Sequence, residues 1–573
     1  MSKNTKNKGI DLSRCFVFDI ENTTEEPSHA YVVSFLRLST PDLENIYRIE
    51  YSGDYVDFMH QFIGFIFSKK SYSTFFAHNL SHDFSYIYSF LCQYYAGDFS
   101  VDYDNTVILD VGHDIKKITL IFRGKKFIFR DTFALFTASL DRVMKDYTDV
   151  VKGETPLFSH IDDVIITDDI RDYVDNDVYG LAVALLKRLQ TGKNKITTAG
   201  DAFATLKDFV NGDRNDVFSR YFPFLEFDED KEMRSAYRGG YTYLNPLYTE
   251  KTINNITVID INSMYPAQMY YQPLPFGEPL KVNDGEIKTT FFYTLGIQIF
   301  SFTSAQVKDN CAPFLCESNA LMGANDYPVD WFPDNDGERF TFALTLQEFE
   351  LFKKTYYYDD LQLHGGWLFQ SKKGVFRNYI DHFWKMKNDT HPVIKALGKL
   401  FLNSPYGKFA EGQIKTRWKI LYEDKITFKK DSEEIVQCGY LPVGIFITSY
   451  ARVFLLESIN KIGMENFIYC DTDSIHFTGD IPDNLEMDDY KMGLWKKENV
   501  FSRAYYIRAK RYCGEYYEGE ELKLKIACAG IKRVSLYEQI KRVDDFRRGV
   551  MVKTFRFRYG KNGKYTEECE IKI

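Results

Sequence analysis

Apolar positions along the chain fall into short runs broken by polar clusters, and the period within each run predicts its conformation. Cys15-Phe16-Val17-Phe18-Asp19-Ile20-Glu21 is apolar with acids only near its end, and predicts a strand. Further strands are predicted over 31–38 and 118–129, and a helical stretch over 171–189 closes this first segment. The polar residues 190–199 read as a linker. Beyond it a strand is predicted at 257–261, then long mixed structure over 274–374 and a strong helical stretch over 375–404. The charged, alternating region 411–439 predicts a hairpin, about 446–461 a helix, and 467–477 a second hairpin. The chain shows no internal repeat and no low-complexity tract.

At 573 residues the chain has room for about three to five domains. With 45% apolar and 27% charged residues it is expected to fold rather than to be disordered. No apolar run reaches the ~18–20 residues that span a bilayer, so no membrane association is expected. The polar, lysine-dotted start of the chain predicts no signal peptide. Nine scattered cysteines without a Cys-x-x-Cys pair exclude a zinc ribbon and a disulfide framework, and point to a reducing cytosol. The net charge of −9, taken alone, argues against a protein that lives on nucleic acid. Its distribution alters that picture. The first ~190 residues sum to about −8, those up to Leu494 to about −10, and the last ~80 to about +9, an acidic body with a basic arm. The excess of Tyr (41) and Phe (49) suits cores and also base-stacking platforms.

Three acidic clusters carry candidate chemistry. In Asp19-Ile20-Glu21 two carboxylates two residues apart share one face of a strand, so both could grip one cation. Asp260 follows the apolar run Val258-Ile259 and precedes Ile261-Asn262-Ser263-Met264-Tyr265-Pro266. Each of these alone is more readily a solvated strand end. In Tyr469-Cys470-Asp471-Thr472-Asp473-Ser474 two carboxylates sit at the tip of an apolar hairpin, where repulsion and burial call for a divalent cation. Lys395, Lys399 and Asn403 are spaced by four and form one helical stripe, with Lys387 two further steps upstream. Such a stripe could be a solvated face. Beside carboxylates fit for metals, it could hold a triphosphate.

Taken together these residues resemble the family B DNA polymerases, and more narrowly the protein-primed replicative polymerases of small bacteriophages with linear genomes. Asp260-x-x-Ser263-Met264-Tyr265-Pro266 resembles motif A, Lys399-x-x-x-Asn403-Ser404-x-Tyr406-Gly407 motif B, and Tyr469-Cys470-Asp471-Thr472-Asp473-Ser474 motif C. Lys510-Arg511-Tyr512 is similar to the Lys-x-Tyr motif of the primer terminus, and Tyr237-Arg238-Gly239-Gly240 to the Tyr-x-Gly-Gly motif linking two activities. The first segment then resembles the family's 3′–5′ proofreading domain. Asp19 and Glu21 match its first motif, His78-Asn79-Leu80-Ser81-His82-Asp83-Phe84 its second, and Tyr173-Val174-Asp175-Asn176-Asp177 its third. Lys152-Gly153-Glu154 is similar to a Lys-Gly-acid element of that domain. Three departures stand out: Pro405 inside motif B, which ends the helix at about Ser404; Met264 for the commoner Leu; and His82 at a position usually apolar or aromatic.

The resemblance implies a mixed α/β (α+β) fold, a ribonuclease-H-like exonuclease domain followed by a right-hand polymerase domain. The implied divisions are 1–190 exonuclease, 191–271 first part of the palm, 272–375 a terminal-protein-interacting insertion, 376–411 fingers, 412–441 an insertion for processivity and strand displacement, 442–531 second part of the palm, and 532–573 thumb. It implies two Mg²⁺ ions (or Mn²⁺) per active site. Asp260, Asp473 and the Ile261 carbonyl would hold them in the polymerase site, with Asp471 secondary. Asp19, Glu21, Asp83, Asp177 and, more weakly, Glu154 would do so in the exonuclease site, where Tyr173 orients water and Lys152 steadies the phosphate. Ser263, Met264, Tyr265, Lys387, Lys399, Asn403 and Tyr406 would bind nucleotide, with Tyr265 excluding a 2′-hydroxyl. Asn79, His82, Thr132, Phe133, Tyr237, Gly239, Gly240, Ser404, Gly407, Arg452, Thr472, Lys510 and Tyr512 would contact DNA. Implied partners are template and primer DNA, dNTPs and a terminal protein, the chain being a monomer or a heterodimer with that protein in the host cytoplasm. A primer-dependent polymerase without protein priming, and an exonuclease with an inactive DNA-binding C-terminal half, are the alternatives.

Overall fold

In the first apolar run, residues 15–18 are all buried, as in a central strand covered on both faces. This strand, Cys15–Asn22, pairs antiparallel with Ala30–Arg37 and parallel with Ser73–Ala77, which runs parallel to Lys125–Asp131. The chain is described by a computed structural model covering residues 10–110, 112–153, 157–190, 194–214, 216–319 and 327–573. Alternation along Cys15–Asn22 decides the layout. Phe16, Phe18 and Ile20 pack with the helices Tyr55–Ser68 and Leu80–Tyr94, whereas Cys15 and Val17 pack with Asp168–Leu189. Asp19 and Glu21 share the parity of Cys15 and Val17, so they face the helix that carries Asp177. The single strand expected over 118–129 is two, Ile115–Phe122 and Lys125–Asp131. Arg123 and Gly124 between them both have positive φ, a two-residue hairpin turn that apolar periodicity does not register.

The second large sheet has seven strands in the order Glu521–Cys528, Arg511–Glu518, Trp495–Arg508, Thr252–Ile261, Ser474–Thr478, Phe467–Asp471 and Thr242–Leu244. The helix Leu441–Ile462 packs against it through Ala451, Leu455, Leu456 and Ile459. It is the one helix among the described residues long and apolar enough to cross a membrane, and 78% of its apolar window is buried inside the protein. A four-stranded sheet, in the order Pro273–Val282, Gln362–Lys373, Leu295–Phe302 and Phe340–Thr345, lies within the region of mixed structure.

The stretch 375–404 is not one helix. Arg377–Lys387 and Pro392–Asn403 are separated by a break at 388–391, and Pro392 opens the second helix, where a missing N–H costs nothing. The helices fold back on each other so closely that a Cβ on Gly398 would lie 2.3 Å from the Lys387 nitrogen. Lys387 therefore sits on the opposing helix, not on the Lys395–Lys399–Asn403 stripe. The second helix ends at Asn403, with Ser404 as its C-cap before Pro405.

The other predicted elements are present, with additions. Residues 414–435 form a hairpin, Ile414–Tyr422 with Ile426–Ile435, docked on the N-terminal unit: Trp418 donates to Asp110 at 2.6 Å and Tyr88 to the Ile420 carbonyl at 2.9 Å. The linker over 190–199 overlaps the start of the helix Thr198–Asn211, and Arg130 donates to the Lys195 carbonyl at 2.7 Å. A C-terminal hairpin, Met551–Tyr559 with Lys564–Lys572, presses its turn into the N-terminal unit. There Lys564 N–H donates to Ser85 Oγ (2.6 Å), Tyr86 to the Lys564 carbonyl (3.0 Å), and Lys561 N–H to Glu26 (2.8 Å). All nine cysteines are free.

Candidate active sites

The first acidic site lies at the end of Cys15–Asn22. Asp19, Glu21 and Asp177 offer ligand oxygens all within 4.8 Å of one another. Burial, and then Asp177, push the Asp19 carboxyl up to about 7; burial and Asp19 raise Glu21 and Asp83 well above their ordinary range. The crowding has one internal answer. Lys152 bonds Asp177 and donates to the Tyr173 hydroxyl at 2.8 Å. Burial works against its charge, yet Asp177 and Asp19 hold the ammonium above its usual range. Asp83 Oδ1 and Asp177 Oδ1 are buried without a hydrogen-bond partner, so the donor set fits a divalent cation. Tyr173 and Asp177 stand one turn apart on Asp168–Leu189. The Glu154 expected here lies outside the described residues.

Asp131, which the sequence reading missed, shapes this site. Its Oδ1 accepts from the backbone N–H groups of Asn79, Leu80 and Phe133, and its Oδ2 from Lys116 at 2.9 Å. It thereby pins the left-handed Asn79 (φ 71°) that starts the Asp83 helix. Two expected DNA contacts need correction. Thr132 is fully buried, donating to the Ala77 carbonyl at 3.0 Å, and cannot meet a strand directly. The His82 ring lies against Tyr86 and Phe557, and burial lowers it to about 4, so it is a neutral packing group between this unit and the C-terminal hairpin. Phe133 remains exposed.

The second acidic site forms where three strands of the other sheet meet. Asp260 pairs with Ser474 on one side and with Lys496 on the other. Ile261 N–H donates to the Asp473 carbonyl at 2.8 Å, locking the strand end to the 471–474 turn, where Thr472 has φ 60°. Burial, then Asp260 and Asp471, raise Asp473 to about 6; burial also raises Asp260 against the pull of Lys496. Two crowded carboxylates of this kind fit a divalent cation. Asp471 is occupied otherwise. It accepts from Lys510 (3.0 Å at each oxygen), Thr242 (2.9 Å) and Thr472 (3.1 Å), so it holds the turn.

The cationic and aromatic groups come from other elements. Lys387 donates to Ser263 Oγ at 2.6 Å, and burial, then Lys496 and Lys399, lower its ammonium to about 8. The Tyr265 and Tyr406 rings lie 4.1 Å apart, centroid to centroid. Asn403 and Gly407 are exposed, and the Ser404 hydroxyl donates to the Leu400 carbonyl. Met264 is buried, so its expected nucleotide contact becomes packing in the core against which Tyr265 rests. Gly240 admits no side chain: a Cβ there would lie 2.4 Å from Thr472 Oγ1, which keeps the Tyr237–Gly240 segment against the turn.

Arg452 and Tyr512, expected on DNA, are both buried. Arg452 donates to the carbonyls of Arg238 and Gly239 and, at 2.8 Å, to Glu348, so it orients the Gly-Gly backbone from below. The Tyr512 ring packs among Tyr469, His476 and Tyr506. Two further residues of this site, Lys496 and Glu498, went unread. The only sequence signal is a Lys-x-Glu beginning at the second residue of a strand, and its meaning depends on pairing register.

Residues 162–492 match the family described as DNA polymerase type B, organellar and viral. The chain is 32% identical over 500 residues to the DNA polymerase of Bacillus phage phi29, spanning 81% of this chain and 85% of that protein. It is 31% identical over 486 residues to the DNA polymerase of Bacillus phage Nf, spanning 79% and 83%. The solved structure of Phi29 DNA polymerase complexed with primer-template DNA and incoming nucleotide substrates matches with a TM-score of 0.87 at 26% identity, covering 98% of this chain and 99% of that one. The ribonuclease-H-like unit followed by a right-hand unit, expected from the sequence, is the architecture this likeness shows.

Proposed function

The chain belongs to the organellar and viral type B DNA polymerases and is a DNA-directed DNA polymerase, and on that premise we propose that it is the protein-primed replicase of a linear phage genome, with 3′–5′ proofreading and strand displacement. The observation that carries the two-activity reading is the presence of two separate carboxylate sites on two different sheets, each with its own lysines. Template, primer and dNTPs are the substrates, as in the similar solved complex with primer-template DNA and incoming nucleotides. Residues 272–375 and 412–441 are the segments we assign to terminal-protein contact and to enclosure of DNA. That assignment rests on the likeness to phage DNA polymerases, and the host cytoplasm is our proposed place of action.

In the polymerase site Asp260, Asp473 and the Ile261 carbonyl would hold two divalent cations, Mg²⁺ or Mn²⁺. These supply activation of the attacking hydroxyl and neutralisation of the departing pyrophosphate when bound. Lys387 and Lys399 bind the triphosphate. Tyr265, backed by Tyr406, forms the floor beneath the sugar, where a 2′-hydroxyl would collide. Lys510 fixes Asp471 and so the tip of the hairpin. In the exonuclease site Asp19, Glu21, Asp83 and Asp177 would hold the cations, Tyr173 orients the attacking water, and Lys152 steadies the scissile phosphate.

Asp473→Asn is expected to abolish synthesis and leave exonuclease, and Asp19→Ala with Glu21→Ala to do the reverse. Loss of both activities from either change would sink the two-site reading. Protein priming is tested by deoxynucleotidylation of a candidate terminal protein with a labelled dNTP. Incorporation on primed template but never on protein would reduce the reading to a primer-dependent polymerase.

A further inference from the structure

Asp260 sits on Thr252–Ile261 between two antiparallel neighbours, and residues directly opposite in such a pair project to the same face. The strand Trp495–Arg508 carries two adjacent lysines, Lys496 and Lys497, and register decides which of them meets Asp260. Val258 pairs with Asn499 but Ile259 pairs with Lys497, so Glu498 is the extra residue of a β-bulge. Without that bulge Lys497 would stand opposite Asp260. With it, Lys496 does, and its Nζ lies 3.4 Å from Asp260 Oδ1.

The other charges nearby are already committed. Lys387 donates to Ser263, Lys510 bonds both oxygens of Asp471, and Glu498 is held by Lys525 at 2.8 Å. Among the described residues Lys496 is the only side chain in ion-pair contact with Asp260. Because the strand tethers it there, the ammonium lies against one of the two carboxylate oxygens open to a cation.

We propose that Lys496 is a built-in counter-ion of Asp260, neutralising the carboxylate in the divalent-free site and setting the divalent concentration the polymerase requires, because the ion pair must break before the metal is held. This rests on the reading of Asp260 as a metal ligand given above. Lys496 acts through Asp260 and is a positioning residue. The pair is part-exposed, 37% and 25% at the two side chains, which caps its worth at the level of a solvent-screened ion pair.

The test uses the full chain with Asp19→Ala and Glu21→Ala, so that metal-induced thermal stabilisation reports the polymerase site. Mn²⁺ and Mg²⁺ are added separately, without DNA or nucleotide. Lys496→Gln is expected to lower the half-stabilising concentration by about two- to five-fold, or ~0.4–1 kcal/mol at 1.4 kcal/mol per tenfold. The half-saturating Mg²⁺ for primer extension falls alongside, and Lys496→Arg, which keeps the charge, restores the parent value. An unchanged or higher midpoint in Lys496→Gln overturns the proposal, as does a raised KM for dNTP with an unmoved metal midpoint, which would make Lys496 a triphosphate ligand. Asp260→Asn separates the two levels. If it abolishes the stabilisation while Lys496→Gln changes nothing, only the counter-ion role falls. If Asp260→Asn changes nothing, the ligand reading falls and the proposal with it.

Discussion

Three ionised groups share one buried pocket beneath the Gly239-Gly240 backbone. Glu348 is 1% exposed, Arg452 5% and Arg238 8%. Arg452 contacts Glu348 at 2.7–2.8 Å, whereas Arg238 stands 3.8 Å away and donates to the Ala343 carbonyl. The pocket therefore holds one excess positive charge, and this orders the mutants. Arg452→Met leaves Glu348 and Arg238 as a one-to-one pair. It loses the charged hydrogen bonds to Glu348 and to the carbonyls of Arg238 and Gly239, a loss of ~1–3 kcal/mol. Glu348→Gln strands two guanidinium groups without a counter-charge and should cost ~3–5 kcal/mol. In the double variant only Arg238 remains charged, so its destabilisation should fall short of the sum by ~1 kcal/mol or more. Thermal unfolding of the three variants, with hydrogen exchange at 237–240, reads the effect locally in a chain of several units. Arg452→Met should also slow extension of primed template while hydrolysis of unpaired oligonucleotides persists. Arg452→Met being as destabilised as Glu348→Gln, or strict additivity in the double variant, would refute the charge count.

Tyr265→Val should relax discrimination against ribonucleotides, measured as the ratio of kcat/KM for dNTP and rNTP; an unchanged ratio rejects the steric floor. Gly398→Ala forces a Cβ against backbone 2.3 Å away, so the two helices must part. At ~1–3 kcal/mol of overpacking it should raise the dNTP KM by drawing Lys387 off Ser263, with exonuclease unchanged; an unaltered KM refutes the link. Asp19, lifted from 3.8 to about 7, stabilises the metal-free protein fully below pH ~4, and that contribution is lost as pH rises through about 7. In EDTA the melting temperature should thus fall from pH 5 to 8 more steeply in the parent than in Asp19→Ala with Glu21→Ala. Equal slopes would contradict the carboxylate crowding.

What could be read from the sequence was whatever depends on local spacing. Asp19 and Glu21 share a face by period alone, as do Tyr173 with Asp177 and Lys395 with Lys399. The hairpin at 467–477 and the helix end before Pro405 follow from patterning and from proline's missing N–H. Features that depend on pairing between distant segments were hidden. The bulge at Glu498 gives no compositional sign, so Lys496 could not be told from Lys497. Lys387 falls in phase with the stripe, and only the break at 388–391 moves it to the facing helix. Thr132, Tyr512 and Arg452 were expected on DNA, yet burial turns each into support for a neighbour. The acidic balance misled for the same reason, since whole-chain charge ignores which acids converge.

The contact of the C-terminal turn with the N-terminal unit bears on how the chain is made. Lys561 meets Glu26 across 535 residues of sequence, and Lys564 meets Ser85 across 479. A ribosome delivers the Leu80–Tyr94 helix early, but the Lys564 backbone that bonds Ser85 and Tyr86 follows 478 residues after Tyr86. Until then the side of the helix that this backbone covers stays open, with Tyr86 held by Ser28, and Tyr88 waits for the Ile420 carbonyl. The first unit is therefore closed by a step of very long sequence separation, slow by loop-closure entropy. Chains that stop before Lys561 would emerge with their first unit unfinished.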